Sequence, residues 1–302
     1  MSKQINWDDQ RAFLAVFDEG SLSGASRLLG VAQPTVRARI AALEKVLGTV
    51  LFTRSVNGLA PTEHARVIAA SARAMAKASE AFVRAASAPP GEIAGTVRIS
   101  VAEFVGIEVL PPMLAALRLA HPRIVVELSL SNNSADILEQ EVDVAVRMHP
   151  PRQEALVAKK IGAIKLGLFA HHDYLARKGI PATIDDLAHH DMIGSDRARA
   201  DLEMAAAFHP AMRREQLVAR TDSHPAQLAL ARAGLGIAAV HLAIGLSDPH
   251  LAAVLPGLEI ASLDTWIVTH EDLRRVPRVG AVFEHLTAAF THYAIFVRDL
   301  SL

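Results

Sequence analysis

The stretch SLSGASRLLGVAQPTVRARIAALEKVLGTVLFTRSVNGLAPT, from Ser21 to Thr62, leaves the fewest folds open to this chain. A short apolar run stops at Gly30, and a second opens through Gln33-Pro34-Thr35. Proline is at home in the first turn of a helix, where its missing N–H leaves no bond unmade. Along the second run Val36, Ile40, Leu43 and Leu47 recur at four-three-four spacing, which places them on one buried helical face. Ser21 or Ser23 caps the shorter helix. Trp7 to Phe17, with Phe13, Leu14 and Phe17 on one side, forms an amphipathic helix behind both. Further on, Val50-Leu51-Phe52 and Leu59-Ala60 flank Asn57-Gly58, a hairpin-turn dipeptide. Helix, glycine turn, helix and ribbon make a winged helix-turn-helix.

In such a unit the start of the second helix enters the major groove. Gln33, Pro34 and Thr35 open that helix, and Gln33, Thr35 and Arg37 are placed to read bases. Glutamine pairs with an adenine edge, arginine with a guanine edge, and the threonine methyl touches thymine. Arg54 on the ribbon suits a phosphate or minor-groove contact. An ordinary polar surface helix is the alternative, and the ribbon weighs against it. Formal charge is −1 over the chain, so positive charge must be concentrated locally. Met1 to Arg66 carries eight basic residues against six acidic ones, a modest excess.

Those residues resemble the LysR-type transcriptional regulators. The resemblance rests on the Gln33-Pro34 entry, Leu43-Glu44, Leu47-Gly48, Leu51-Phe52-x-Arg54 and Thr62 in register. It departs from that pattern at Arg37-Ala38-Arg39, where relatives continue Ser-Arg-Gln after the apolar residue. The usual base-reading arginine falls at Ala38, so Arg37 or Arg39 takes over.

Thr62 to Ser87 is rich in Ala with Arg, Lys and Glu, free of internal Gly and Pro, and closed by Pro89-Pro90-Gly91. Ile68, Ala72, Met75, Ser79 and Phe82 form a narrow apolar seam. With no neighbouring element evident in the sequence, a dimer seam is preferred to packing on the helix's own domain. Two-fold pairing implies double-stranded DNA of approximate dyad symmetry. The resemblance implies that this helix pairs two readers, that tetramers are common, and it allows RNA polymerase as a further partner.

From Gly95 the pattern becomes alternating α/β. Strands are predicted at Thr96–Val101, Ile124–Leu130, Val142–Arg147, Lys165–Ala170, His190–Ile193, Gln216–Thr221, Gly236–Val240 and Trp266–Thr269. Helices are predicted at Val105–Leu119, Ala135–Glu139 and Val279–Val297. Alternation of this kind predicts a parallel sheet. The last strand and helix return to the first lobe, giving a hinged cleft like that of periplasmic solute-binding proteins. The resemblance extends over nearly the whole chain through RISVAEF, LPPMLAALRLAHPRIVVEL, EVDVAVRM, HHDYLARKGIP and RAGLGIAAV, and implies the same two-lobed sensor. The domains are then a reader at 1–62, a linker helix at 63–91 and a sensor at 92–302. Lobe I takes about 92–165 and 268–302, and lobe II about 166–267.

In open α/β sheets ligands bind beyond the carboxyl ends of strands, where helix N-termini favour anions. That rule selects Glu103, Phe104, Ser131, Asn132 and Arg147 in lobe I, and Thr221 and Ser223 in lobe II, for a small organic anion. Arg147 is the residue to grip a carboxylate, unless Glu141 or Asp143 pairs with it. Glu103 would bond a hydroxyl or amine, or face solvent. His171 and His224 are weaker candidates.

Other signals exclude more than they suggest. Gly234-Leu235-Gly236-Ile237-Ala238-Ala239 matches a dinucleotide fingerprint, but a helix precedes it and a strand follows, the reverse of what phosphate binding needs. The histidine pairs 171–172 and 189–190 lack metal-ligand spacing, and no catalytic constellation is recognisable, so neither metal, cofactor nor enzymatic activity is expected. The absence of cysteine rules out thiol redox sensing and fits a cytoplasmic protein. Neither a secretory leader nor a membrane span is read from the apolar runs. The rival reading is an α/β solute-binding protein or enzyme with a helical N-terminal extension.

Overall fold

The computed structural model describes residues 5–55, 58–86, 91–132, 142–148, 150 and 156–299. They form two compact units, one ending at Ala86 and the other made of the rest.

In the first unit α1 (Trp7–Glu19), α2 (Leu22–Leu29) and α3 (Gln33–Leu47) end on Gly20, Gly30 and Gly48, each at positive φ. Left-handed backbone is what a glycine stop provides. Ser21, rather than Ser23, caps α2: its Oγ accepts from the Gly24 N–H at 3.0 Å. Phe13, Val16, Ala25, Val36, Ile40, Leu43 and Leu51 close one core between the three helices and the ribbon. The ribbon is β1 (Phe52–Ser55) paired antiparallel with β2 (Gly58–Pro61), Arg54 lying opposite Leu59. Asn57 of the turn lies outside the described residues. Gly58 sits at φ 129°, and a Cβ there would come within 2.5 Å of the Gly20 carbonyl oxygen. The same carbonyl accepts from the Leu59 N–H at 2.7 Å, tying the ribbon to the end of α1.

The helix α4 (Glu63–Ala85) starts where expected. Thr62 Oγ1 accepts from the Ala65 N–H at 3.3 Å and donates to the Val50 carbonyl at 3.0 Å. Its surroundings differ from the sequence expectation. Ala65, Ala69 and Ala72 are buried in the reader core, and Ile68 packs against it. Arg73 pairs with Asp18 at 2.5 Å and lies over the Phe17 ring. So α1 covers the first half of α4, and Ile68 and Ala72 of the predicted seam belong to that intradomain core. Val67, Met75 and Phe82 remain exposed, Phe82 by 76%. Ser87, Pro89 and Pro90 lie outside the described residues.

The second unit opens with β3 (Gly95–Val101), followed by a π-helical turn at Val105–Val109 and α5 (Leu110–Ala120). Next come β4 (Ile124–Leu130) and β5 (Val144–Arg147), both parallel to β3. The predicted helix Ala135–Glu139 lies outside the described residues. The chain then enters β6 (Leu156–His171), α6 (His172–Lys178), β7 (Met192–Gly194), α7 (Arg199–Phe208), β8 (Leu217–Arg220) and α8 (His224–Arg232). It finishes through β9 (Ala238–His241), α9 (Leu242–Ser247), β10 (Leu251–Val254), β11 (Ala261–His270), α10 (Glu271–Arg274) and α11 (Pro277–Asp299).

The expectation of a parallel sheet holds for β3, β4, β5 and for the small β7–β8 pair, but not for the rest. The order of the main sheet is β10-β6-β11-β5-β3-β4, with β9 also on β6, and β6 is antiparallel to β9, β10 and β11. The cause is the route of the chain. It leaves lobe I along β6 and returns along β11, so these two long strands run in opposite directions and bridge both lobes. Only the second half of β6 was predicted, because Lys159, Lys160 and Gly162 break the apolar pattern of the first half. Strand β10 was not predicted. β11 pairs with β5, and Val282, Phe283, Leu286 and Phe290 of α11 pack on Ile99, Leu110 and Ile267 in the lobe I core. Lobe II has its own core around Leu168, Tyr174, Leu187 and Met192.

Candidate DNA-reading face and ligand cavity

On α3 the buried Val36, Ile40 and Leu43 define the inner side, which fixes what the outer side presents. Gln33, Pro34, Thr35, Arg37, Ala38, Ala41, Ala42 and Lys45 are all exposed. At 3.6 residues per turn, Pro34, Ala38, Ala41 and Lys45 form the middle of that outer face. Gln33 and Arg37 lie along one flank, with Thr35 and Arg39 toward the other. Ala38 and Ala41 at its centre are small enough to let a groove approach the backbone closely. Arg39 Nη2 bonds Asp8 Oδ2 at 3.0 Å, and its side chain is only 25% exposed. It clamps α3 to α1, whereas Arg37 is exposed.

Glu44, one turn further along, does something the sequence did not suggest. Its Oε1 accepts from the Leu51 N–H at 2.7 Å and the Phe52 N–H at 3.4 Å. The carboxylate thereby locks the root of the ribbon to α3. Arg54 stands exposed on β1.

In the second unit a cavity of about 250 Å³ lies where Phe104, at the end of β3, meets lobe II and the crossing strands. Its walls are largely apolar, with Leu166, Ile193, Met204 and Ile260 among them. Five polar side chains also line it. Ser195 Oγ donates to Asp201 Oδ2 at 2.8 Å, the same oxygen that bonds His224 Nε2 at 2.8 Å. The Gln227 amide donates to Ser195 Oγ at 3.2 Å and to the Thr221 carbonyl at 2.7 Å. His241 is buried, packs against Phe104 with ring centroids 4.3 Å apart and the rings tilted by 41°, and has no hydrogen-bond partner at Nδ1. The hydrogen bond with Asp201 raises the His224 pKa against its burial, while the bond from His224 holds Asp201 below the usual carboxylate value. Burial pushes the His241 imidazole down to about 3, the charge of His224 adding to the effect. His241 is therefore neutral at neutral pH, and of the two imidazoles His224 is the one biased toward protonation.

The predicted ligand residues separate around this cavity. Phe104 and His224 line it. Glu103 is half-buried, its backbone N–H bonds Asn132 Oδ1 at 3.1 Å, and its charge favours the protonated form of His224. Thr221 and Ser223 stand at the start of α8, Thr221 Oγ1 accepting from the Ser223 N–H at 3.2 Å, and neither lines the cavity. Ser131 donates its N–H to the Val101 carbonyl at the end of β3. Arg147 is buried in the sheet, where Nη1 and Nη2 donate to the Ser100 carbonyl and Oγ at 3.1 and 2.8 Å. It is not among the lining residues, nor are Ser131, Asn132 and His171. The sequence reading missed Ser195, Asp201, Gln227 and His241. Ser195 and His241 sit at the carboxyl ends of β7 and β9, so the strand-end rule applied to every strand would have found both. Nothing in the sequence marks Asp201.

The profile of the bacterial regulatory helix-turn-helix protein, lysR family, matches residues 7–66, and that of the LysR substrate binding domain matches residues 90–291. The chain belongs to the LysR family. The HTH-type transcriptional regulator of Xanthomonas campestris is 28% identical over 190 residues, covering 63% of this chain and 55% of that relative. The chain thus aligns with little over half the length of this curated relative. The probable HTH-type transcriptional regulator LtrA of Klebsiella pneumoniae is 25% identical over 287 residues, covering 92% and 93%. The full-length CbnR structure solved with its target DNA has the same fold, with a TM-score of 0.68 at 21% identity, covering 94% of this chain and 99% of that one. Within the LysR-family frame the cavity belongs to the substrate binding domain, and α3 with its ribbon to the helix-turn-helix domain. Among the described residues no helix is long and apolar enough to cross a membrane.

Proposed function

We propose that this LysR-family chain is a DNA-binding transcription regulator whose second unit senses a small organic molecule. The observation that carries the reading is the outer face of α3, exposed along its length and braced to the ribbon by Glu44. Gln33, Thr35 and Arg37 read base edges, Pro34 sets the entry of the helix, and Arg54 holds phosphate or the minor groove. Arg39, clamped to Asp8, fixes the helix angle, so the guanine-reading role falls to Arg37. Two copies pair through the exposed Val67, Met75 and Phe82 of α4 and bind a site of approximate dyad symmetry. Occupancy of the cavity shifts the balance between lobe arrangements and so the spacing of the readers.

Selection from a pool of random duplexes tests the reading. The full chain should enrich a dyad-symmetric motif, and its affinity should fall steeply with salt. Gln33→Ala and Arg37→Ala should each cost about 1–3 kcal/mol of motif preference while leaving the oligomer intact. Enrichment of no motif, or full affinity in both variants, would remove α3 as the reader.

A further inference from the structure

The turn that enters one helix of the sensor already holds a carboxylate of the protein itself. In the turn leading into α7, Asp222 Oδ1 accepts from the backbone N–H groups of Asp196, Arg197 and Ala198 at 2.8, 2.8 and 3.0 Å. At the start of α8, His224 is engaged by Asp201. No lysine or arginine is among the described residues that line the cavity, while Asp201 lines it and Glu103 sits close enough to bias His224. A ligand carboxylate entering here would lose its hydration and meet a carboxylate, with no free cation to receive it. The buried His241 lines the cavity too, and its Nδ1 has no partner among the described residues. A neutral imidazole nitrogen either accepts or donates, depending on the tautomer, and a hydroxyl group answers both.

Size narrows the rest. An apolar cavity of about 150 Å³ admits benzene, so about 250 Å³ admits a substituted single ring or a branched chain of similar bulk. Resting on the reading of this cavity as the sensor site, we propose that it takes an uncharged, compact apolar compound bearing a hydroxyl that bonds His241. It does not take the small organic anion that the strand-end rule suggested.

Matched probe pairs decide the matter on the full-length chain, by thermal shift and calorimetry at neutral pH: benzyl alcohol against benzoate, and isoamyl alcohol against isovalerate. At least one alcohol should bind in the millimolar range or better and raise the unfolding temperature, with its acid partner at least tenfold weaker. His241→Leu should weaken the alcohol about tenfold. Ala200→Phe, at an exposed position on the cavity wall, should block binding without disturbing the core. An acid that binds as well as its alcohol overturns the assignment, and so does the failure of every alcohol at millimolar concentration. Undiminished binding in the well-folded Ala200→Phe variant overturns it too. An alcohol that binds through His241 yet leaves DNA affinity unchanged keeps the assignment and removes the sensing role instead.

Discussion

In the helix-turn-helix unit the ribbon root and the helix entries are braced by bonds between residues close in sequence, whereas the contacts that join the two lobes beside the cavity link residues far apart in it. Glu44 reaches Leu51, Ser21 reaches Gly24, and Thr62 joins Val50 to Ala65. In the sensor, Phe104 packs against His241, and Arg232 grips Glu108 with both terminal nitrogens at 3.1 and 3.0 Å while its Nε bonds Asp248 at 2.6 Å. That last cluster ties the π-helical turn of lobe I to lobe II. Longer-range pairs, Arg39 with Asp8 and Arg73 with Asp18, then close the reader into one unit. A cavity assembled from distant segments changes shape when the lobes move, which is what a sensor requires.

The contrast can be broken by experiment. The largest effect is expected from Gly58→Ala, which places a Cβ against the Gly20 carbonyl at a backbone angle L-residues rarely adopt. It should destabilise the ribbon by about 3 kcal/mol, read as faster amide exchange at residues 52–61 with exchange in the sensor unchanged. If loss of protection spread to the sensor, the reader would not be a locally held unit. Glu44→Gln keeps the shape but gives up charge-assisted bonds to Leu51 and Phe52, and should cost about 1.5 kcal/mol with a matching loss of DNA affinity. Arg232→Ala should cost the sensor about 1 kcal/mol, a value reduced because its side chain is 35% exposed. It should also broaden the lobe arrangement seen by small-angle scattering, and an unchanged profile would deny the cluster its bridging role.

The smallest effect concerns pH. His224 has a raised pKa, so its contribution is complete below the ordinary value of 6.5 and is lost as pH rises through the folded value. Asp201 has a lowered pKa, so its contribution is complete above the ordinary 3.8 and is lost as pH falls through the folded value. The pair therefore supports lobe II best between those limits, and its support fades toward alkaline pH. His224→Gln should flatten the alkaline limb of a melting-temperature profile; a limb that keeps its slope would show the pair to be inert.

The same division explains what could be read in advance. Gly30, Gly48, Pro34 and the four-three-four spacing of Val36, Ile40, Leu43 and Leu47 act within a turn or two, so the reader was legible residue by residue. Sheet direction was not, because β6 and β11 run oppositely for a reason that appears only when the chain's return to lobe I is traced. The first half of the α4 seam was misassigned for a related reason, since nothing in the sequence shows that α1 lies beside Ile68 and Ala72.

By itself the sequence determined the winged helix-turn-helix, its family, and the alternating α/β sensor, because periodicity, glycine stops and turn residues act over short distances. Only the tertiary structure decided that Arg39 is clamped by Asp8, that Glu44 holds the ribbon, and that Arg147 is committed to Ser100. It also brought Ser195, Asp201, His224 and His241 to one cavity. The charge and hydrogen-bonding state of a side chain depend on what folding places within about 3 Å of it, and for Arg39, Arg147 and His224 that neighbour is far away in sequence.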